Sequence, residues 1–408
     1  MNIIYNIIYN IITYIAGALL PIPALWNKKL RLFVEGRKGV FAYLREHIKG
    51  KNWVWVHAAS LGEFEQGLPV IQALRGQGYK VLVTFFSPSG YEVRKNSPEM
   101  DAVCYLPLDT PANAQQLVAI VQPKMAFFVK YEFWTNYLHA LKDNGVPTYL
   151  ISGIFREGQV FFKWYGGLQR ACLPCFTHFF VQNTLSKSLL ERLGYGNVTV
   201  SGDTRFDRVA AIATLDNHLG FMETFKGNSL CVVFGSSWPE DEAVYLSTIN
   251  ESTAGTKFVI APHNIHPENI AALQERITKR VGRYSEKDSI DLTAIDVLIL
   301  DTIGILTKVY AYADVAYVGG GMATGLHNVL EPAVFGVPVV IGKHYEKFAE
   351  AVDLVALGGV RSVDSEASCK EVLTALIASP EKCHSVGAIN ARYIAEKKGA
   401  TERIMNNL

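Results

Sequence analysis

The sequence predicts an α/β protein built as two Rossmann-like halves with parallel sheets. Short apolar runs alternate with helical stretches, the alternation breaks once near the middle of the chain, and small or charged residues follow the runs directly. The first series contains WVWVHAAS, KVLVTFFS, AVCYLPL, KMAFFVK, PTYLIS, HFFVQN and VTVSGD. The runs are apolar throughout rather than alternating, as strands covered on both faces require. EFEQGLPVIQALRGQG and SGYEVRKN supply the first connecting helices. A polar helical stretch over 208–228 separates the halves. The second series runs LCVVFGSS, KFVIAPH, DVLILDT, VAYVGGG and PVVIG, and 381–408 reads as helical and charged. The expected organisation is an apolar helix over 1–27, a first Rossmann-like domain over 28–210 and a second over 211–408, with a cleft between them. In such sheets ligands bind at the carboxyl ends of strands, so the residues after each run are the ones to weigh.

With 408 residues, the chain is long enough for two cores. Its 49% hydrophobic and 19% charged residues exclude a mainly disordered protein. A formal net charge of +1 gives no basic field for nucleic acid, and no such partner is expected. The six cysteines are scattered, as reduced thiols usually are. Cys172 and Cys175 form a CxxC, which reads either as a buried pair or as a redox or metal element.

The first 26 residues, MNIIYNIIYNIITYIAGALLPIPALW, carry no charge. Asn2, Asn6 and Asn10 recur every four residues with Tyr5 and Tyr9 beside them, giving one polar stripe on a helix that Pro21 and Pro23 end or kink. Lys28, Lys29, Arg31, Arg37 and Lys38 follow, a cluster suited to anionic membrane lipids. The segment reads as a spanning anchor, an in-plane amphipathic helix or a buried helix of a soluble protein. A cleaved signal peptide fits worst, since no basic n-region precedes it.

Six motifs carry possible chemistry. In HAASLGE, Gly62 allows a tight turn and Glu63 stands at a helix start, as a general base toward a hydroxyl or as a first-turn glutamate favoured by the helix dipole. In KYEFWTN, Glu132 lies beyond a strand among aromatic residues, as a sugar-binding carboxylate or as a cap. In GDTRFD, Arg205 meets a phosphate or pairs with Asp203 or Asp207. Ser236 and Ser237 in FGSSWPE form an anion-suited turn. His263 and His266 in PHNIHPE suggest polar contacts rather than a metal site, for want of a third ligand. In GGGMATGLHNVLEP, the glycine loop through Gly325, the expected helix start near His327, and Glu331 suit a phosphate and a ribose. There is no Walker A pattern and no Asp-x-Asp pair, so no metal is expected and a donor with a single phosphate, such as a CMP-sugar, fits.

On these residues the chain resembles the bacterial Kdo (3-deoxy-D-manno-octulosonic acid) transferases of lipopolysaccharide assembly. HAASLGE looks like their His-x-x-Ser-x-Gly-Glu element, KYEFWTN like Thr-Glu-Leu-Trp-Pro-Asn, GDTRFD like Gly-Ser-x-Lys-Phe-Asp, GSSWPEDE like Gly-Ser-Thr-His-x-Gly-Glu-Glu, and GLHNVLEP like Gly-His-Asn-Pro-Leu-Glu-Pro. The resemblance implies a GT-B fold and an inverting transfer from CMP-Kdo to a lipid A precursor, lipid IVA, on the cytoplasmic face of the inner membrane. It implies catalytic roles for Glu63 and Glu132. Arg205, Ser236, Ser237, His266, Gly325, His327, Asn328 and Glu331 fall on the donor side; Ser60, Gly62, Trp134 and Asn136 fall on the acceptor side. The family's Arg-His-Pro-Glu-Arg element appears here as His263-Asn264-Ile265-His266-Pro267-Glu268-Asn269, without its arginines, so the positive charge at the donor has another source, such as Arg205 or Lys343. Thr135 replaces a proline, and Lys130 and Tyr131 replace the usual pair before the glutamate. Two rival readings are a GT-B enzyme acting on a UDP-sugar, transferase or epimerase, and an inactive membrane adaptor.

Overall fold

A computed structural model of the protein describes residues 2–252 and 255–408, with side chains from residue 6 onward. Asn2 and Tyr5 of the expected polar stripe therefore lie outside the described side chains. The chain forms two compact units, one comprising the residues up to Arg208 together with Lys398–Leu408, the other Val209–Lys397.

The first unit holds β1 (Trp53–Ala58), β2 (Lys80–Phe85), β3 (Ala102–Tyr105), β4 (Met125–Val129), β5 (Thr148–Gly153), β6 (His178–Val181) and β7 (Val198–Val200). All pairings are parallel, in the order β3-β2-β1-β4-β5-β6-β7. The second holds β8 (Leu230–Ser237), β9 (Thr256–Pro262), β10 (Val281–Arg283), β11 (Val297–Ile299), β12 (Val315–Val318), β13 (Val339–Gly342) and β14 (Val360–Val363), also parallel, in the order β10-β11-β9-β8-β12-β13-β14. Successive residues of β1 feed two cores: Trp53 and Trp55 pack with Phe128 on one face, Val54 and Val56 with Phe127 on the other. Two-sided burial is why these strands read as unbroken apolar runs. The strands absent from the sequence reading are β10 and β14, three and four residues long and at the two edges of their sheet. An edge strand is covered less, and the inner residues of β14, Arg361 and Ser362, are exposed.

Strand order reverses between β1 and β4 in one sheet and between β8 and β12 in the other. Reversal points open crevices at the carboxyl ends of the strands. HAASLGE follows β1, KYEFWTN follows β4, GSSWPE overlaps the end of β8 and GGGMATG follows β12. Two of the non-glycine residues with positive φ stand there: Lys130 after β4 and Ser236 at the end of β8, at +68° and +53°.

Residues 398–408 differ in placement from the sequence reading, which put them in the second domain. They pack with the first unit because Ile404 enters the core of Phe64, Ile71 and Leu74. Asp207 accepts from Gly399 N at 2.5 Å, Thr401 N at 2.6 Å and Thr401 Oγ1 at 2.7 Å. Arg403 Nε donates to Ser201 O at 2.7 Å. The cysteines of the CxxC are buried, and burial pushes the thiols up to about 12 for Cys172 and about 11 for Cys175, which keeps both protonated.

Asp207→Ala removes all three acceptor contacts to the last helix. Hydrogen exchange over 399–408 is expected to accelerate at least tenfold, about 1.4 kcal/mol of lost protection, while β8–β14 exchange unchanged.

Candidate active site

In the first unit, Ala59 and Ser60 link β1 to the helix Leu61–Gly76, with Glu63 in its first turn. Ser60 Oγ donates to the Glu63 carboxylate, which is half-buried at the positive end of the helix, where a negative charge is favoured. Gly62 does not make the tight turn expected of it. It lies within the helix and is exposed, and a Cβ there would meet only Ser60 Oγ, at 4.0 Å.

Glu132 is buried at the end of a polar chain. Its Oε2 accepts from Trp134 Nε1 at 2.7 Å and lies 3.2 Å from His57 Nε2. His57 Nδ1 is 2.8 Å from Thr84 Oγ1, which accepts from Trp55 Nε1 at 2.8 Å. The bonds close consistently when Thr84 donates to Nδ1 and the His57 proton sits on Nε2, facing the carboxylate. Glu132 and Trp134 also line a cavity of about 570 Å³ with Tyr9, Tyr131, Phe133, Val160 and Phe161.

Beside this cavity Tyr131 Oη accepts from Arg156 Nη1 at 2.9 Å. Burial pushes the Tyr131 phenol above its ordinary value, against the pull of Arg156 and Arg205, while Glu63 adds to the rise. Glu63, Tyr131, Arg156 and Arg205 thus share one electrostatic neighbourhood. Of the two pairings open to Arg205, the structure forms the one with Asp203: Nε and Nη2 reach Oδ2, each at 2.8 Å. Asp203 is buried, which disfavours its charge, yet Arg205 and Gln66 Nε2 at 3.0 Å hold it below the usual carboxylate range. Asn136 is not part of this group. Its Nδ2 donates to Asn10 Oδ1 at 2.8 Å and to Asp109 O at 2.5 Å, at the seat of the first helix.

In the second unit, the motifs after β8, β9 and β12 meet. Trp238 stacks on His263 with centroids 4.2 Å apart, Trp238 Nε1 donates to His327 Nε2 at 3.2 Å, and the two imidazoles are 4.9 Å apart. Burial lowers both histidines, and His263 lowers His327 further. The loops are joined by His263 N to Ser237 O at 2.8 Å and Gly319 N to Gly235 O at 2.9 Å. Asp241, fully buried, accepts from Gly320 N at 2.7 Å, Trp238 N at 3.0 Å and Tyr317 Oη at 3.0 Å, and so fixes the glycine loop. The Ser237 hydroxyl is buried and accepts from Tyr245 Oη at 3.0 Å.

His263 is the histidine whose ring joins the cluster; His266 stands at the start of the helix Pro267–Glu275, and both residues are exposed. The glycines allow close backbone approach: a Cβ at Gly319 would lie 2.4 Å from Ser236 O in the turn after β8, and one at Gly320 2.1 Å from Gly325 O within the same loop. No helix starts at His327. The following helix is the four-residue Leu330–Ala333; His327 N is taken by Gly319 O at 3.1 Å, and Asn328 Oδ1 accepts from Leu330 N at the helix start. Glu331 accepts from Thr307 Oγ1 at 3.0 Å and from Asn328 Nδ2 at 3.1 Å, which presents a carboxylate and an amide together. Among the described residues, no group of three or more His, Cys, Asp or Glu is arranged to hold a metal ion.

Residues 34–208 match the family described as 3-deoxy-D-manno-octulosonic-acid transferase (kdotransferase). The chain is 27% identical over 376 residues to the 3-deoxy-D-manno-octulosonic acid transferase of Bordetella pertussis, covering 87% of this chain and 86% of that one. It is 25% identical to that of Haemophilus influenzae, with the same coverage. In fold it is similar to the UDP-GlcNAc 2-epimerase of Neisseria meningitidis (TM-score 0.62, 16% identity, 87% of this chain and 98% of that one) and to MurG of Acinetobacter baumannii (TM-score 0.56, 12% identity, 87% and 98%). The chain thus has the GT-B type of fold, one Rossmann-like unit for each sheet, and it is similar to the Kdo transferases over 87% of its length.

Proposed function

We propose that this protein moves Kdo from CMP-Kdo onto a lipid A precursor, with inversion at the anomeric carbon, at the cytoplasmic face of the inner membrane. The observation that carries this reading is that four of the five elements that resemble those of the Kdo transferases stand at the carboxyl ends of the reversal-point strands β1, β4, β8 and β12, with Glu63 half-buried after the first of them.

In this mechanism Glu63, oriented by Ser60, takes the proton of a sugar hydroxyl on the acceptor as the oxygen attacks the anomeric carbon. The C–O bond to CMP breaks and the nucleotide leaves as an anion that needs no acid. Glu132 is held from behind by His57 and Trp134; it lines the cavity in which the acceptor's sugar end sits. Arg156 and Arg205 supply positive charge on this unit for the anionic groups of the substrates. In the second unit, the Ser236 turn, Gly325, His327, Asn328 and Glu331 hold the cytidine nucleotide, with Asn328 and Glu331 on the ribose hydroxyls. Stabilisation of the leaving phosphate falls to backbone N–H groups and neutral imidazoles, without a metal ion. The anionic leaflet is the docking partner of the basic segment Lys28–Lys38.

Glu63→Ala is expected to lower the turnover of CMP-Kdo with lipid acceptor by about a hundredfold or more, within the ~10²–10⁴ range for a lost general base. Unchanged turnover removes Glu63 from the mechanism. CMP at about 100 times its Kd raises the melting temperature of the protein, a stabilisation of about 2.7 kcal/mol, and UDP does not. A shift with UDP alone favours a UDP-sugar enzyme instead.

A further inference from the structure

The helix Asn2–Leu19 is amphipathic in the inverted sense. Its half-buried positions are Asn6, Tyr9, Asn10, Thr13 and Gly17, continued by Leu20 and Ala24, one stripe at helical spacing. The polar part of that stripe faces the protein. Tyr9 Oη donates to the buried carboxylate of Asp109 at 2.7 Å, and Asn10 Oδ1 accepts from Asn136 at 2.8 Å. Two turns on, Gly17 lies so close to Leu108 that a Cβ would come within 2.9 Å. The opposite face is apolar and open: Ile7, Ile8, Ile11, Ile12, Ile15 and Leu19 are 49–60% exposed. A helix in contact with water buries its apolar face and exposes its polar one.

We propose that this helix lies along the membrane surface rather than across the bilayer, and that it forms one lipid-facing surface with the loop Trp164–Tyr165. The six open aliphatic side chains have no protein neighbour to cover them, and lipid chains supply one. Asn6 to Ala24 spans about 27 Å of helix axis, close to the thickness of a bilayer core, and the first unit covers one side over that length. Crossing the bilayer would carry Asp109 and Asn136 into hydrocarbon with the helix. The loop belongs to the same surface because the segment Gly167–Cys172 that follows it packs on the helix. Trp164 is 91% exposed and Trp26 81%, the amphipathic rings that favour the headgroup layer. Lys28, Lys29 and Arg31 are exposed directly beyond the apolar face, so the charge next to it matches an anionic bilayer and not a second copy of the same basic surface. The cavity beside Glu132 has Tyr9 and Val160 in its wall, which sets its rim at the lipid surface.

This inference rests on the membrane attachment in the proposed function and not on the sugar transferred; its test reads depth and leaves activity aside. The native cysteines are buried, so a fluorophore can be carried in turn by I7C, I11C, I15C, L19C and W164C in the full-length protein. Vesicles of phosphatidylethanolamine and phosphatidylglycerol carry nitroxide lipids at shallow or deep positions. All five labels are expected to report the same shallow depth. A depth that changes steadily from I7C to L19C, by up to about 18 Å, with W164C left in water, is the pattern of a spanning helix and overturns the proposal. Labels that no lipid quenches overturn it as well, whether the protein is then a monomer in solution or a dimer through this face.

Discussion

Everything chemical in this protein grows from one topological constraint: in each parallel sheet the strand order reverses once, between β1 and β4 and between β8 and β12. Neighbouring strands at a reversal send their chains to opposite faces, so the sheet cannot be covered at that point. The residues left there must satisfy one another. In the first unit they do so through Thr84, His57, Glu132 and Trp134; in the second, Asp241 joins the turn after β8 to the glycine loop after β12. Both arrangements leave polar groups close to solvent on a rigid base, which suits binding and group transfer.

The two units solve the same problem with different materials. The first uses a buried carboxylate fed by ring N–H donors, with arginines around Tyr131. The second uses backbone N–H groups and a Trp238–His263–His327 cluster, where relatives of the family are expected to carry arginine. Burial lowers both imidazoles, so near neutral pH this cluster contributes hydrogen bonds and stacking surface rather than charge. On the first unit Arg205 is held in place by the buried Asp203.

Much of this was legible in the sequence, for a physical reason. Strands covered on both faces must be apolar throughout, so the inner strands announce themselves, whereas the short edge strands β10 and β14 do not. Glu63 and Glu132 were findable because they follow strands within a few residues, Ser236 because it stands at the end of one, and Glu331 because it follows the glycine loop after β12. Thr84 and Asp241 were not singled out: their partners come from other strands, 27 residues away for His57 and Thr84 and 79 for Asp241 and Gly320. Gly62 was found but misread, since it sits in an ordinary helix, whereas Gly319 makes a close backbone approach to Ser236. His266 and His263 could be told apart only once the stacking on Trp238 was seen. The asparagine stripe was visible from its spacing, but not that Tyr9 and Asn10 turn it inward onto Asp109 and Asn136, which inverts the usual relation between a helix and its protein.

The central claim is the identity of the transfer, and the mass of the product tests it most directly. A lipid A precursor incubated with CMP-Kdo and the full-length protein is expected to gain the mass of one or more Kdo residues, with CMP released in equal number. An acceptor of unchanged mass under the same conditions, with the protein folded and bound to the vesicles, contradicts the account.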